Sequence, residues 1–225
     1  MPFETIQSVN LREQVVEQIR TAIIEGRLRP NDHIVENTLT AQLGVSRTPV
    51  REALILLERD GLIVSYPHRG SYVRNFTVQD VEEIFTMRIA LENFAGDCIL
   101  HSLTSDECDT LENFIHRQKD AIVAADFKTV RSIDMSFHEY LIERANHALL
   151  KRNWRQIVAQ IAAVLYLRAE VIPNYDEYLA IRDHQTIVDA YRQRDLAALH
   201  ATNARVNRRV AEECKQAVAH IGKPS

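Results

Sequence analysis

Cysteine is scarce in this chain, and no two cysteines are spaced to bind a metal or to form a redox pair. The three thiols, at Cys98, Cys108 and Cys214, form no CxxC motif, which predicts reduced cysteines in a cytoplasmic protein. No apolar run approaches the ~20 residues that a membrane span requires. The first residues also lack the basic and apolar regions of a secretory signal. With six glycines and six prolines, no segment is low in complexity.

The acidic net charge argues at first against binding to nucleic acid. The 225 residues carry a net charge of −4, and the isoelectric point is near 6.1. Residues 77–225 account for this charge, with 18 Lys and Arg against 22 Asp and Glu, whereas residues 46–74 hold five arginines against three acidic residues. Positive charge is therefore concentrated in one N-terminal stretch, which predicts a modest basic surface there.

The run GVSRTPVRE, residues 44–52, is typical of the turn and first helical turn of a DNA-recognition helix. Gly44 can adopt the positive φ of a tight turn between helices. The Ser46 hydroxyl can accept a hydrogen bond from the first helical turn, where Pro49 is tolerated. Three side chains then project from the end of the helix that meets base edges in helix-turn-helix proteins: Arg47, Thr48 and Arg51.

A winged helix is predicted around this run. Residues 36–43 form the preceding helix, and an apolar stripe continues the recognition helix to Gly61. Two β-prone segments, residues 62–66 and 71–73, flank a Pro/Gly turn and predict a hairpin. The tip of this wing comprises His68, Arg69 and Gly70.

From residue 77 onward the pattern is helical, so the fold class is mainly α. Residues 1–76 are expected to be the winged helix-turn-helix domain and residues 77–225 an all-helical bundle of six or seven helices. Thr77 with Asp80, and Thr104 with Glu107, have the spacing of capping boxes that start helices. The predicted helices are residues 78–102, 105–124, 127–145, 147–171, 176–193 and 195–220.

Three side chains in the bundle suggest metal chemistry. Asp134 and His138 are four residues apart in one helix, so a carboxylate and an imidazole share a face. This pair is a natural half of a divalent metal site, although a surface pair or a core contact produces the same spacing. His184 lies in another helix, where apolar neighbours at −3, +3 and +7 direct it to the interior.

Arg88 lies beside an apolar stripe of its helix. Its guanidinium can therefore point into the bundle and bind a small carboxylate through two hydrogen bonds. An internal salt bridge to Glu92, four residues later, explains the same pattern equally well.

Residues 11–73 resemble the DNA-binding domain of GntR-type bacterial transcription regulators. The resemblance rests on the segments IEGRLRP at residues 24–30, LGVSRTPVREAL at residues 43–54 and LERDGLI at residues 57–63. Asn37 departs from the arginine that the family often has there, which puts a DNA contact at that position in doubt. Residues 77–220 resemble the all-helical (FCD) domain of the FadR-type branch, through RIALE at 88–92, DMSFH at 134–138 and NHALL at 146–150.

The resemblance implies a metal site that helps to bind a small carboxylate. Many relatives use an Asp, a His four residues later and two further His, so Asp134, His138 and His184 correspond to three ligands. The fourth histidine falls at about Val206, which cannot coordinate. The substitutes left open are Asn203, His200, Asn207 or water. Zinc, nickel and manganese all suit such donors.

The sequence thus predicts a homodimeric, ligand-responsive transcription regulator and not an enzyme. Arg47, Thr48 and Arg51 would contact the major groove of a pseudo-palindromic double-stranded operator, with Arg69 and Gly70 near the minor groove or backbone. Release of repression by a small organic acid is the expected mode.

Two rival hypotheses remain. A helical metalloenzyme would activate water at Asp134, His138 and His184, but it leaves the winged helix unexplained and lacks an evident general base. A winged-helix module that only mediates assembly gives the three inward polar residues no purpose.

Overall fold

The computed structural model describes residues 11–172 and 175–221. Clustering of contacts divides the chain into two compact units between Asn75 and Phe76. The first unit contains three helices and three short strands within its described residues: α1 (Leu11–Ile24), β1 (His33–Ile34), α2 (Glu36–Leu43), α3 (Arg47–Arg59), β2 (Ile63–Tyr66) and β3 (Gly70–Val73).

The turn between α2 and α3 follows from two residues. Gly44 ends α2 with φ of 65°, and its N–H donates to the Thr40 carbonyl, as a left-handed helix end requires. Ser46 has the extended N-cap conformation, but its hydroxyl accepts no capping hydrogen bond. The expected cap is therefore wrong in this detail, because the third helical residue, which normally donates to a cap, is Pro49 and has no N–H.

The wing is an antiparallel sheet with the strand order β1-β3-β2. The predicted hairpin is present, with Ile63 opposite Val73 and Tyr66 opposite Gly70. The two-residue strand β1 was not predicted, since two residues carry no detectable alternation. Gly70 has φ of 88°, and a Cβ there would lie 2.8 Å from the His33 side chain. The positive φ therefore favours glycine here, and a side chain would also displace the His33 ring.

The second unit is a helical bundle, and the predicted fold class is confirmed. Its helices within the described residues are α4 (Val78–Ile99), α5 (Ser105–Val123), α6 (Phe127–Arg144), α7 (Ala148–Val171), α8 (Tyr178–Gln193) and α9 (Leu196–Ile221). Both capping boxes form: Thr77 pairs reciprocally with Asp80, and Thr104 with Glu107. No helix among the described residues has the length and apolarity to cross a membrane.

An apolar core fixes the helices around the site. Phe137 on α6, Tyr191 on α8 and Leu199 on α9 are all buried in one cluster with residues of α4 and α5. The Phe137 ring stacks on the ring of His184, with centroids 4.1 Å apart. Because α6 and α8 share this packing, their inward polar residues meet beside the core.

Candidate metal centre and DNA-facing surface

The three proposed metal ligands lie together in the bundle. Asp134 and His138 project from α6 and His184 from α8, and one donor atom from each lies within 4.8 Å of the others. The Nε2 atoms of His138 and His184 are 3.2 Å apart, and the Nε2 atom of His184 is 3.3 Å from Oδ1 of Asp134. Both histidines are buried, and Asp134 is half-buried. Imidazole nitrogens and a carboxylate oxygen are the donors that zinc and related ions prefer.

Two residues that the sequence analysis did not select orient these imidazoles. Oε1 of Glu92 lies 2.9 Å from Nδ1 of His138, and Oε1 of Gln118 lies 3.0 Å from Nδ1 of His184. Carboxylate and amide oxygens accept hydrogen bonds, so the tautomer with a proton on each Nδ1 satisfies both oxygens and directs each Nε2 lone pair toward a metal ion. The arrangement matches the outer partners of metal-bound histidines, which fix ring orientation and tautomer.

Burial and neighbouring charges favour the neutral form of His184 and the ionised form of Glu92. Burial lowers the pKa of His184 to about 3, which leaves the imidazole neutral and able to coordinate. Burial raises the pKa of Glu92, but Arg88 and His138 together outweigh it and hold that pKa well below its usual range. Two ring lone pairs and one carboxylate oxygen therefore converge on one point, and a divalent cation suits that charge distribution.

Arg88 forms the internal salt bridge that the sequence analysis considered. Its Nε donates to Oε1 of Glu92 at 2.8 Å, and both side chains are buried. Arg88 also lines the cavity beside the three donors. Its immediate partner is the carboxylate that orients His138, so Arg88 acts on the centre through Glu92.

The candidates for a fourth ligand differ in whether they line the cavity and in which side chains they already contact. Val206 lines the cavity, whereas His200 faces Asp97 with Nε2 to Oδ1 at 2.9 Å. Asn203 donates to the Asn93 side chain at 3.0 Å. Asn207 donates to Glu92 at 2.8 Å and also lines the cavity. Of the four side chains considered, Asn207 and Val206 are thus the two that line the cavity with the donors, and Val206 offers no lone pair.

A cavity of about 50 Å³ opens beside the donors. Besides the ligands it is lined by charged and polar side chains that the sequence analysis did not select: Arg131, Arg168, Tyr175, Glu177, Asp183 and Arg209. Arg168 could have been found from spacing, since it lies four residues after buried Val164 and seven after buried Ile161. The remaining five gave no comparable pattern.

The residues of the first unit that the sequence predicts to contact DNA are exposed. Ser46, Arg47 and Thr48 lie at the start of α3, one turn before Arg51, and all four side chains are open to solvent. Nε of Arg51 pairs with Oε2 of Glu36 at 2.8 Å, a contact the sequence analysis did not anticipate.

The wing tip is exposed in the same way. The side chains of His68 and Arg69, and the backbone of Gly70, are open to solvent. His68 has a positive φ of 62°, and the Arg69 N–H donates to the Tyr66 carbonyl at 3.0 Å. This turn presents the tip of the hairpin as a compact projection.

Comparison with protein families assigns both halves of the chain. Residues 11–73 match the family described as bacterial regulatory proteins, gntR family, and residues 83–209 match the FCD domain. The second match covers more than half of the chain. The chain therefore belongs to the GntR family, with a C-terminal FCD domain, and is a DNA-binding transcription regulator.

Individual relatives agree with this assignment. RspR, a transcriptional repressor of Escherichia coli (strain K12), is 27% identical over 210 residues, which are 93% of this chain and 90% of RspR. YdhC, a transcriptional regulator of Bacillus subtilis (strain 168), is 33% identical over 140 residues, or 61% of this chain and 62% of YdhC. The fold is similar to that of E. coli McbR/YncC, with a TM-score of 0.81, 22% identity, and coverage of 93% of this chain and 99% of that chain.

These comparisons bear on the metalloenzyme hypothesis. The family and its relatives are transcription regulators and not enzymes, so the metalloenzyme hypothesis is wrong.

Proposed function

We propose that this chain is a homodimeric transcriptional repressor whose affinity for its operator is controlled by a small organic acid bound in the FCD domain. The observation that carries the proposal is the convergence of Asp134, His138 and His184 beside a polar cavity. RspR, similar over most of both chains, is described as a repressor, which supports repression as the sign of regulation.

A divalent metal ion is the second part of the proposal. Asp134 would bind it through a carboxylate oxygen, and His138 and His184 through Nε2, each ring held by its Nδ1 partner. When bound, the ion supplies positive charge that attracts a carboxylate. With Val206 in place of a fourth histidine, coordination positions stay open for water or for an oxygen of the effector.

The DNA contacts follow from the first unit. Arg47, Thr48 and Arg51 stand exposed at the start of α3, the end of a recognition helix that meets base edges in the major groove. Ser46 lies at the same helix terminus, and the wing tip, His68 to Gly70, is suited to the backbone or the minor groove. A two-fold dimer would bind a pseudo-palindromic operator.

The test begins with metal analysis of never-chelated protein and with an operator selected from random double-stranded DNA. We expect near-stoichiometric metal in the wild-type protein and none in the His138→Ala variant. The matched control is His116→Ala, which removes an exposed histidine from α5. Both variants should still bind the selected operator when no effector is present.

Mass spectrometry of small molecules released on denaturation identifies the effector. The released acid should weaken operator binding by wild-type protein and have less effect on His138→Ala. Metal content equal in His138→Ala and wild type would contradict the proposed site. A protein that selects no DNA sequence would contradict the proposed operator recognition.

A further inference from the structure

Arg168, on α7, carries a buried N–H donor that has no hydrogen-bond partner in the described part of the chain. Its side chain is 9% exposed, and it lines the cavity that contains Asp134, His138 and His184. Within residues 11–172 and 175–221, its Nε–H is shielded from solvent and has no hydrogen-bond partner. Burying an unsatisfied donor costs roughly 1–3 kcal/mol, and more when the group is charged. Such a position is favourable when a ligand in the cavity supplies the acceptor.

The remainder of the Arg168 guanidinium is fixed in place. Nη1 contacts Oε2 of Glu213 at 3.1 Å and the Tyr175 hydroxyl at 3.3 Å. The Tyr175 ring covers the guanidinium, with its centroid 4.1 Å from Cζ, a distance typical of a cation–π contact. These contacts hold the plane of the group and leave Nε–H without a hydrogen-bond partner among the described residues. A guanidinium edge has the geometry to donate two parallel hydrogen bonds to a carboxylate.

Arg88, the other buried arginine that lines the cavity, already uses its Nε–H in a hydrogen bond. Nε of Arg88 donates to Glu92 at 2.8 Å, and Glu92 in turn holds His138. Arg209 is held by Asp183 and by Glu213, the latter at 2.9 Å. Both of these contacts of Arg209 use its Nη atoms. Arg168 therefore differs from Arg88 in having an Nε–H without a partner among the described residues.

We infer that Arg168, and not Arg88, binds the carboxylate of the effector. The inference rests on the proposed function for its premise that the cavity is the effector site, and it specifies the ligand as a small acid that can accept two parallel hydrogen bonds. Glu213 acts as a positioning residue, because it holds the guanidinium and does not line the cavity. Because Arg168 on α7 pairs with Glu213 on α9, the bound acid would contact a residue that links these two helices.

The experiment compares a minimal acid with its neutral counterpart. Glycolate and glycolamide, which differ mainly in the charged carboxylate, are titrated against wild-type protein and followed by ligand-observed NMR and calorimetry. We expect the wild type to prefer glycolate. Arg168→Gln should weaken glycolate binding at least tenfold, about 1.4 kcal/mol, and reduce the preference by the same factor, which leaves only the part that a bound metal ion supplies. Arg168→Lys should lie between the two, because it keeps the charge and loses the paired donors.

The control variant is Arg192→Gln, in which the lost arginine forms exposed ion pairs with Asp109 and Glu112. It should bind glycolate as the wild type does. Metal content and helical circular dichroism should be unchanged in all variants; if Arg168→Gln does not fold, Arg168→Lys decides the question.

An unchanged preference for acid over amide in the Arg168 variants would overturn this inference and leave the proposed function intact. A wild-type protein that holds metal but does not distinguish the two ligands would also overturn it. A wild-type protein that binds neither metal nor acid would contradict the proposed function itself.

Discussion

Gln118 offers a direct test of whether the centre is built to bind metal. Its side chain is 1% exposed, and its Oε1 lies 3.0 Å from Nδ1 of His184. Replacing Gln118 with Met keeps the volume and removes the acceptor, so the Nδ1–H of His184 loses its partner and the ring loses its orientation. The exchange conserves volume and so creates no cavity, but the buried Nδ1–H left without a partner costs roughly 1–3 kcal/mol of stability.

The size of the effect follows from the loss of one outer partner of a metal-bound histidine. Such losses typically weaken metal binding 10–100-fold, which corresponds to about 1.4–2.7 kcal/mol. We expect this loss for Gln118→Met, while Gln118→Glu should retain binding because a carboxylate also accepts from Nδ1. Zinc affinity is measured by competition with a chromophoric chelator at fixed pH.

Gln185 provides the matched control. It lies on the same helix as His184, one residue later, and its amide donates to Asp189 at 3.1 Å. Gln185→Met should bind zinc as the wild type does. Zinc affinity for Gln118→Met within twofold of wild type would refute the argument that the amide orients His184, and an equal loss in Gln185→Met would show that the effect is not specific.

Three further predictions concern other parts of the chain. Val206→His should tighten metal binding by on the order of tenfold or more, about 1.4 kcal/mol. The added imidazole should also weaken binding of the acid by filling an open coordination position. Unchanged metal affinity would contradict the assignment of Val206 to the position of the fourth ligand. Arg51→Ala should cost on the order of 1–3 kcal/mol in operator binding, whereas Glu36→Gln should strengthen binding by releasing Arg51 from its 2.8 Å ion pair. Mobility-shift titrations at several salt concentrations would test both variants. Equal operator affinity in the wild type and the two variants would count against base reading by Arg51. Thr104→Ala should lower the free energy of unfolding, measured in urea, by roughly 0.5–2 kcal/mol. Because the Thr104 N–H lowers the pKa of Glu107, the stabilisation from Glu107 should be present above its unfolded pKa and be lost as the pH falls through its lower folded pKa. A Glu107→Gln variant that stays equally destabilised in acid would refute this.

Much of the fold was predictable because its signals are local. The capping boxes at Thr77 and Thr104 started α4 and α5 where the sequence placed them, since a cap satisfies donors within its own first turn. The positive φ of Gly44 followed from the same kind of local requirement. The strand β1 was missed because only its pairing with β3 makes it a strand.

The candidate site was predictable in part. The spacing of Asp134 and His138 follows from the 3.6-residue period of a single helix, and the inward direction of His184 follows from its apolar neighbours. The side chains that orient the histidines, Glu92 and Gln118, carried no such signal. Each lies on a different helix from the histidine it contacts, so sequence spacing cannot relate them.

The sequence by itself determined the helix-turn-helix segment and its hairpin, the helices of the second unit, and the residue types available for DNA contact and metal coordination. Tertiary packing alone decided that α6 and α8 bring their donors within 4.8 Å, that Arg88 is bound to Glu92, and that Arg168 enters the same cavity. The physical reason is that helix periodicity fixes distances only along one helix, whereas distances between helices depend on how their apolar side chains interlock.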